Sequence, residues 1–217
     1  MEEQKKGIIF DLDGTLLDTL RDLAEAVNSA LVSAGFPPHA VDAYRAFVGD
    51  GVYTLIQRAV PAGTGEESCR KVLLAMRDAY LAGWANHTRP YPGIENMLSG
   101  LIGRGVPVAV LSNKPHEYTE IMVRHFFPDI SFFRVQGSPP GEKAKPEPKL
   151  ALAIAAHMGL APAHIFFVGD SNVDMLTAKA ANMPAVGVSW GFRSIDELKS
   201  HGASGILSAP DDIFALL

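Results

Sequence analysis

The sequence predicts an α/β protein: a doubly wound, Rossmann-like parallel sheet interrupted near its start by an all-helical insertion. Three observations carry this reading. From Gly105 onward, short β-rich runs alternate with helical ones, the pattern of a parallel sheet with helices on both faces. Residues 17–84 break the alternation, with helical runs and no convincing strand between them. Polar side chains cluster where the apolar runs stop, and such a sheet places its ligands beyond the carboxyl ends of its strands.

The first strand is the apolar run Gly7, Ile8, Ile9, Phe10, which gives way to Asp11-Leu12-Asp13-Gly14-Thr15. Extended backbone alternates faces, so Asp11 and Asp13 can point one way while Phe10 and Leu12 point into the protein. Helices follow over 20–34, 41–47, 52–60 and 66–82, separated by breaks at Gly35-Phe36-Pro37-Pro38, Gly49-Asp50-Gly51 and Pro61-Ala62-Gly63-Thr64-Gly65. The stiff return Arg89-Pro90-Tyr91-Pro92-Gly93 leads into a helix striped by Ile94, Met97, Leu98 and Leu101. Strands over 106–111, 132–135, 165–168, 185–188 and 205–207 then alternate with helices over 118–125, 148–158 and 173–181. A last short helix opens at the capping box Ser194-Ile195-Asp196-Glu197. The organisation is a core of residues 1–16 and 87–217 carrying an insertion over 17–86.

The 217 residues, 47% hydrophobic and 20% charged, suit such a core plus insertion. No apolar run approaches the ~18 residues of a membrane span. The start Met1-Glu2-Glu3-Gln4-Lys5-Lys6 runs straight into the first strand without an apolar leader. A cytoplasmic protein with no membrane partner is expected. The net charge of -5 and the lack of a basic cluster argue against nucleic acid. The single cysteine, Cys69, excludes an internal disulfide and a cysteine metal cage, and its flanks Ser68 and Arg70 predict an exposed helix. Nothing in the pattern indicates an oligomeric state.

Close carboxylates are costly unless they share a cation or a proton, which makes Asp11 and Asp13 candidates for catalysis or metal binding. After strand 106–111 come Ser112 and Asn113, a hydroxyl and a carboxamide able, with backbone N–H groups, to receive anionic oxygens. In Lys143-Ala144-Lys145-Pro146-Glu147-Pro148 the prolines fix Lys145 at a helix start. Strand 165–168 delivers Asp170 to its carboxyl end, with Asp174 one helical turn later; each can be a helix cap or a ligand. Four carboxylates, a lysine and two small polar groups match Mg²⁺ bound beside a phosphate.

Asp11-Leu12-Asp13-Gly14-Thr15-Leu16-Leu17-Asp18, Leu111-Ser112-Asn113, Lys145-Pro146-Glu147-Pro148 and Gly169-Asp170-Ser171-Asn172-Val173-Asp174 resemble, in order, the four motifs of haloacid dehalogenase-superfamily phosphatases. The resemblance implies Asp11 as the nucleophile that forms an aspartyl-phosphate, and Asp13 as general acid and then base. It implies Mg²⁺ held by Asp11, the Asp13 carbonyl and Asp170, with Asp174 close by. Ser112, Asn113 and Lys145 would hold the phosphoryl group of a small phosphorylated metabolite, with Gly14 and Thr15 also lining the substrate site. Dehalogenation needs no proton for its leaving halide, so the second aspartate favours an oxygen leaving group. The insertion resembles the helical cap of these enzymes. Its segments Phe47-Val48-Gly49-Asp50-Gly51-Val52 and Ile56-Gln57-Arg58-Ala59 resemble phosphoglycolate phosphatases. That implies 2-phosphoglycolate as substrate, approached by Arg58 or by cap N–H groups; the plain alternative is an interhelical turn with Arg58 in solvent. β-Phosphoglucomutase-like transfer and pyrophosphate hydrolysis are the enzymatic rivals. A signalling receiver phosphorylated on aspartate is the non-enzymatic one, disfavoured by Asp13 and the cap.

Gly187-Val188-Ser189-Trp190-Gly191 fits a serine-hydrolase elbow, but only His201 follows it, with Asp196 too close before it, so a strand-to-loop turn is expected. The sequon Asn86-His87-Thr88 is read as chance, the seven histidines as solvated or satisfied in the core, and Lys143 and Lys149 as solvated charges.

Overall fold

Gly7–Phe10 forms β1, with Ile8, Ile9 and Phe10 all buried, as in a strand covered on both faces. The structure, a computed structural model, describes residues 5–140 and 144–217. Lys143 and the first four residues therefore lie outside the described residues. After β1 the chain passes through β2 (Leu17–Asp18) into α1 (Leu20–Ser33), α2 (Tyr44–Phe47), α3 (Val52–Ala59) and α4 (Glu66–Gly83). It returns through β3 (Arg89–Pro90), which pairs with β2 as a two-stranded ribbon. Strands of two residues have no period, so a sequence read as strand-free between its helices gave no notice of this ribbon.

Then come α5 (Ile94–Gly103), β4 (Val108–Pro115), α6 (His116–Phe126), β5 (Arg134–Ser138), α7 (Lys149–Met158) and β6 (Ile165–Gly169). The chain closes with α8 (Asn172–Ala180), β7 (Ala185–Val188), α9 (Ile195–Ser200) and β8 (Gly205–Leu207). Six of the described strands make one parallel sheet in the order β5-β4-β1-β6-β7-β8. From β1 the chain winds outward to β4 and β5, then returns to the other side for β6, β7 and β8. Parallel crossovers are right-handed as a rule, so winding in both directions from β1 places helices on both faces, the doubly wound arrangement expected. Phe10, the last residue of β1, stands level with Val110 and with Val168, so the carboxyl end of β1 lies between β4 and β6 at the switch in strand order.

The chain forms two units, one made of the segment up to Leu17 with Pro90–Leu217, the other Asp18–Arg89. In the helical unit α1 packs on α4. Asp22 on α1 is buried and accepts from His87 N (2.9 and 3.0 Å), Thr88 N (2.8 Å) and Thr88 Oγ1 (2.8 Å). Thr88, part of the apparent sequon, is thus a buried structural threonine. Asn28 accepts from His39 N and Tyr44 Oη and donates to the His39 carbonyl, fixing the turn after α1. Burial pushes the Tyr44 hydroxyl above its ordinary pKa. Gly49 and Gly51 both take positive φ, and Gly51 caps α3.

Cys69 corrects one expectation. It is buried on α4 with Val72, Met76 and Tyr80, the one-face spacing of a helix. Its charged and hydroxylic neighbours occupy the other face and misled the local reading. Lys149 is exposed, as expected. Among the described residues no helix is long and apolar enough to cross a membrane.

Candidate active site

Asp11 follows β1 directly, and its N–H donates to the Val168 carbonyl of β6 (2.9 Å). Its Oδ1 accepts from Leu12 N (2.6 Å) and lies 2.9 Å from Lys145 Nζ. The same ammonium donates to Asp174 Oδ1 at 2.6 Å. Asp174 is a cap as well as an ion-pair partner: its Oδ2 accepts from Ser171 N (3.0 Å) and Ser171 Oγ (2.6 Å) at the start of α8. Carboxylate oxygens of Asp11, Asp170 and Asp174, all buried, lie within 4.8 Å of one another.

Burial, with the neighbouring carboxylates adding to it, raises Asp11 to about 7 against the pull of Lys145. Burial and the charges of Asp174 and Asp11 likewise raise Asp170 well above the ordinary carboxylate range. Burial alone would lower Lys145, but Asp11 and Asp174 hold its ammonium above the usual lysine value.

Asp170 is gripped by segments from two directions. Phe192 N donates to its Oδ2 at 2.7 Å. Gly14 and Gly191 pass so close to it that a Cβ at either position would collide with the Asp170 side chain. Trp190 Nε1 donates to the Thr15 carbonyl at 3.0 Å, tying the loop after β7 to the turn after β1. The Thr15 hydroxyl is buried with no hydrogen-bond partner among the described residues. The Gly187 to Gly191 motif therefore ends in a turn that serves Asp170. Ser189 N donates to the Leu207 carbonyl, and His201 is held by the Glu197 carbonyl and Ser200 within and just after α9.

Three placements differ from the sequence reading. Ser112, Asn113 and Lys114 lie in the extended continuation of β4, where pairing with β5 changes register between Leu111 and Pro115, rather than after the strand. Lys145 precedes α7 by a short loop and carries a cis bond to Pro146, instead of opening the helix. Asn113 turns its carboxamide to the Lys145 backbone, accepting from its N–H (2.8 Å) and donating to its carbonyl (3.0 Å). It thus fixes the loop that presents the lysine. Ser112 Oγ accepts from Lys114 N at 3.2 Å.

Lys114 was missed. Its Nζ, though almost buried, lies 3.0 and 3.2 Å from the two oxygens of Asp13. The signal was its place beside Ser112 and Asn113, but a lysine at a strand end reads as solvated. Arg58 belongs to the helical unit, where its guanidinium binds Asp50 (2.6 Å) and the Phe47 carbonyl (3.0 Å).

Residues 8–188 match the family described as haloacid dehalogenase-like hydrolase. The phosphoglycolate phosphatase of Pseudomonas putida is 33% identical over 215 residues, covering 97% of this chain and 78% of that protein. That of Psychrobacter arcticus is 31% identical over 220 residues, covering 98% and 94%. The crystal structure of a predicted phosphoglycolate phosphatase from Haemophilus somnus has a TM-score of 0.91 at 29% identity, covering 100% of this chain and 99% of that one. The chain belongs to the haloacid dehalogenase-like hydrolase family and is a phosphatase of it.

Proposed function

We propose that this phosphatase hydrolyses a small phosphorylated metabolite in the cytoplasm, with 2-phosphoglycolate as its substrate and Mg²⁺ as its cofactor. The observation that carries the chemistry is the strand-end group of Asp11, Asp170 and Asp174 around Lys145. The names of the relatives support the substrate.

The donor set fits the metal. With Asp13 and Lys114 included, four carboxyl groups stand with two ammoniums, and the raised values of Asp11 and Asp170 show that the group is short of positive charge. All the side-chain ligands are hard oxygens, which suit Mg²⁺. Asp11, the Asp13 carbonyl and Asp170 would hold it, with Asp174 close by. Bound there, the ion offsets negative charge on the phosphoryl oxygens.

In the reaction Asp11 attacks phosphorus, forming an aspartyl-phosphate as the bond from phosphorus to the leaving oxygen breaks. Oδ1 of Asp11 is engaged by Lys145 and the Leu12 N–H, which leaves Oδ2 for the attack. Asp13 gives its proton to the leaving oxygen, then takes one from the water that attacks phosphorus. Inorganic phosphate departs and Asp11 is regenerated. Lys145, the Ser112 hydroxyl and strand-end N–H groups hold the phosphoryl oxygens, Asn113 positions Lys145, and Gly14 and Thr15 line the same site. The helical unit is assigned the role of a cap that excludes water during transfer.

A panel of phosphate monoesters assayed with Mg²⁺ and with EDTA tests this reading. The expected result is Mg²⁺-dependent turnover with the highest kcat/KM on 2-phosphoglycolate, and acid-quench trapping of phosphate on Asp11. Full activity in EDTA would overturn the cofactor. A label on any other residue would overturn the nucleophile.

A further inference from the structure

We infer that Lys114 reads the carboxylate of the substrate, and so sets the preference for a phosphorylated acid from within the sheet unit. The inference rests on the proposed 2-phosphoglycolate reaction and names the residue that distinguishes this substrate from an uncharged ester.

The stereochemistry of the substrate leads there. In 2-phosphoglycolate the carboxylate hangs one carbon from the oxygen that leaves with the glycolate. A residue that protonates that oxygen must come within about 3 Å of it. The substrate carboxylate is then carried to within a few ångströms of Asp13. As Asp13 gives up its proton it becomes a second carboxylate beside that of the substrate, and two carboxylates that close repel each other strongly in a buried site unless a cation stands with them. Lys114 is that cation: its Nζ is 3.0 Å from Asp13 Oδ1, and its side chain and that of Asp13 are only 5% and 12% exposed. An ammonium so shielded from water attracts an anion much more strongly than a solvated lysine does.

The backbone supports this placement. Lys114 belongs to the extended end of β4, beside β1, and its N–H donates to Ser112 Oγ, so its stem is anchored next to a proposed phosphoryl-binding hydroxyl. Lys145, the other buried ammonium of the group, is engaged by Asp11 and Asp174. Arg58, the cation that the sequence offered for this task, is engaged by Asp50 and the Phe47 carbonyl.

The test compares 2-phosphoglycolate with 2-hydroxyethyl phosphate, which puts a neutral hydroxyl where the carboxylate stands. The wild-type enzyme should prefer the acid by at least about tenfold in kcat/KM. Lys114→Met should erase most of that ratio through loss on the acid, while Lys114→Arg, which keeps the charge, should retain it within about threefold. Parallel losses on both substrates in Lys114→Met would overturn the inference, making Lys114 a positioning residue for Asp13 and leaving the proposed function intact. Absence of any preference in the wild type would instead sink the substrate assignment itself. Should neither Lys114 variant fold, Arg58→Ala still decides: a preserved preference supports the sheet-borne cation, and an erased one overturns it.

Discussion

Each unit of this protein buries a knot of carboxylate chemistry, and the two knots are built differently. In the helical unit Asp22 meets three neutral donors from His87 and Thr88 and is satisfied by them. In the sheet unit Asp11, Asp170 and Asp174 crowd together around one ammonium, and burial drives Asp11 and Asp170 above their ordinary values. A satisfied carboxylate strengthens the fold that contains it. An under-compensated cluster weakens the fold and holds attraction in reserve for a ligand. The contrast separates residues kept for stability from residues kept for chemistry.

Asp11→Asn tests that contrast hardest. Turnover should fall by at least about 10⁴-fold, since an amide does not attack phosphorus. The urea midpoint should not fall, because one of three mutually repelling charges is gone; a large drop in stability would make the cluster structural after all. Lys145→Met acts in the opposite sense. Deleting the shared cation leaves Asp11 and Asp174 buried and uncompensated, and should cost about 3–5 kcal/mol in denaturant unfolding. A neutral result there would mean that solvent or another group already balances the charge.

Asp22→Ala is the matching experiment in the helical unit. Stranding the donors of His87 and Thr88 should cost about 2–3 kcal/mol. Turnover of p-nitrophenyl phosphate per folded molecule should stay within about twofold of wild type, and a selective loss of activity would dissolve the distinction between the units. The smallest effect belongs to Arg70→Ala. Its pair with Glu66 lies in water on the surface of α4, so the melting temperature should not move measurably.

What could be read beforehand follows from how local each signal is. The alternation of strands and helices and the four polar segments were legible, because side-chain period and strand-end position are properties of short stretches. The grip on Asp170 was not. A backbone N–H from Phe192 has no side-chain signature, and Gly191 was visible only as one end of a serine-elbow pattern. Lys114 escaped for a related reason: a strand-end lysine looks the same in sequence whether it meets water or Asp13. Cys69 was misjudged because its neighbours along the chain lie around the helix from it, while the residues that share its buried face, Val72, Met76 and Tyr80, lie in later turns and α1 and α3 pack on the helix from elsewhere in the chain. Asn113 was seen as a polar group at a strand end, but its partner, the backbone of Lys145, is set by tertiary packing alone.

The ribbon of β2 and β3 bears on how such a chain folds and diversifies. Because these strands are hydrogen-bonded neighbours, the chain leaves and re-enters the sheet unit at points about 5 Å apart. Once the ribbon has formed, residues 18–89 act on the rest of the chain as a loop already closed at its base. The entropy of bringing β1 beside β4 is then set by the short path across that base instead of the full intervening length. A module joined in this way can be lengthened, shortened or exchanged without redrawing the sheet, so variation in the helical part is decoupled from inheritance of the strand ends.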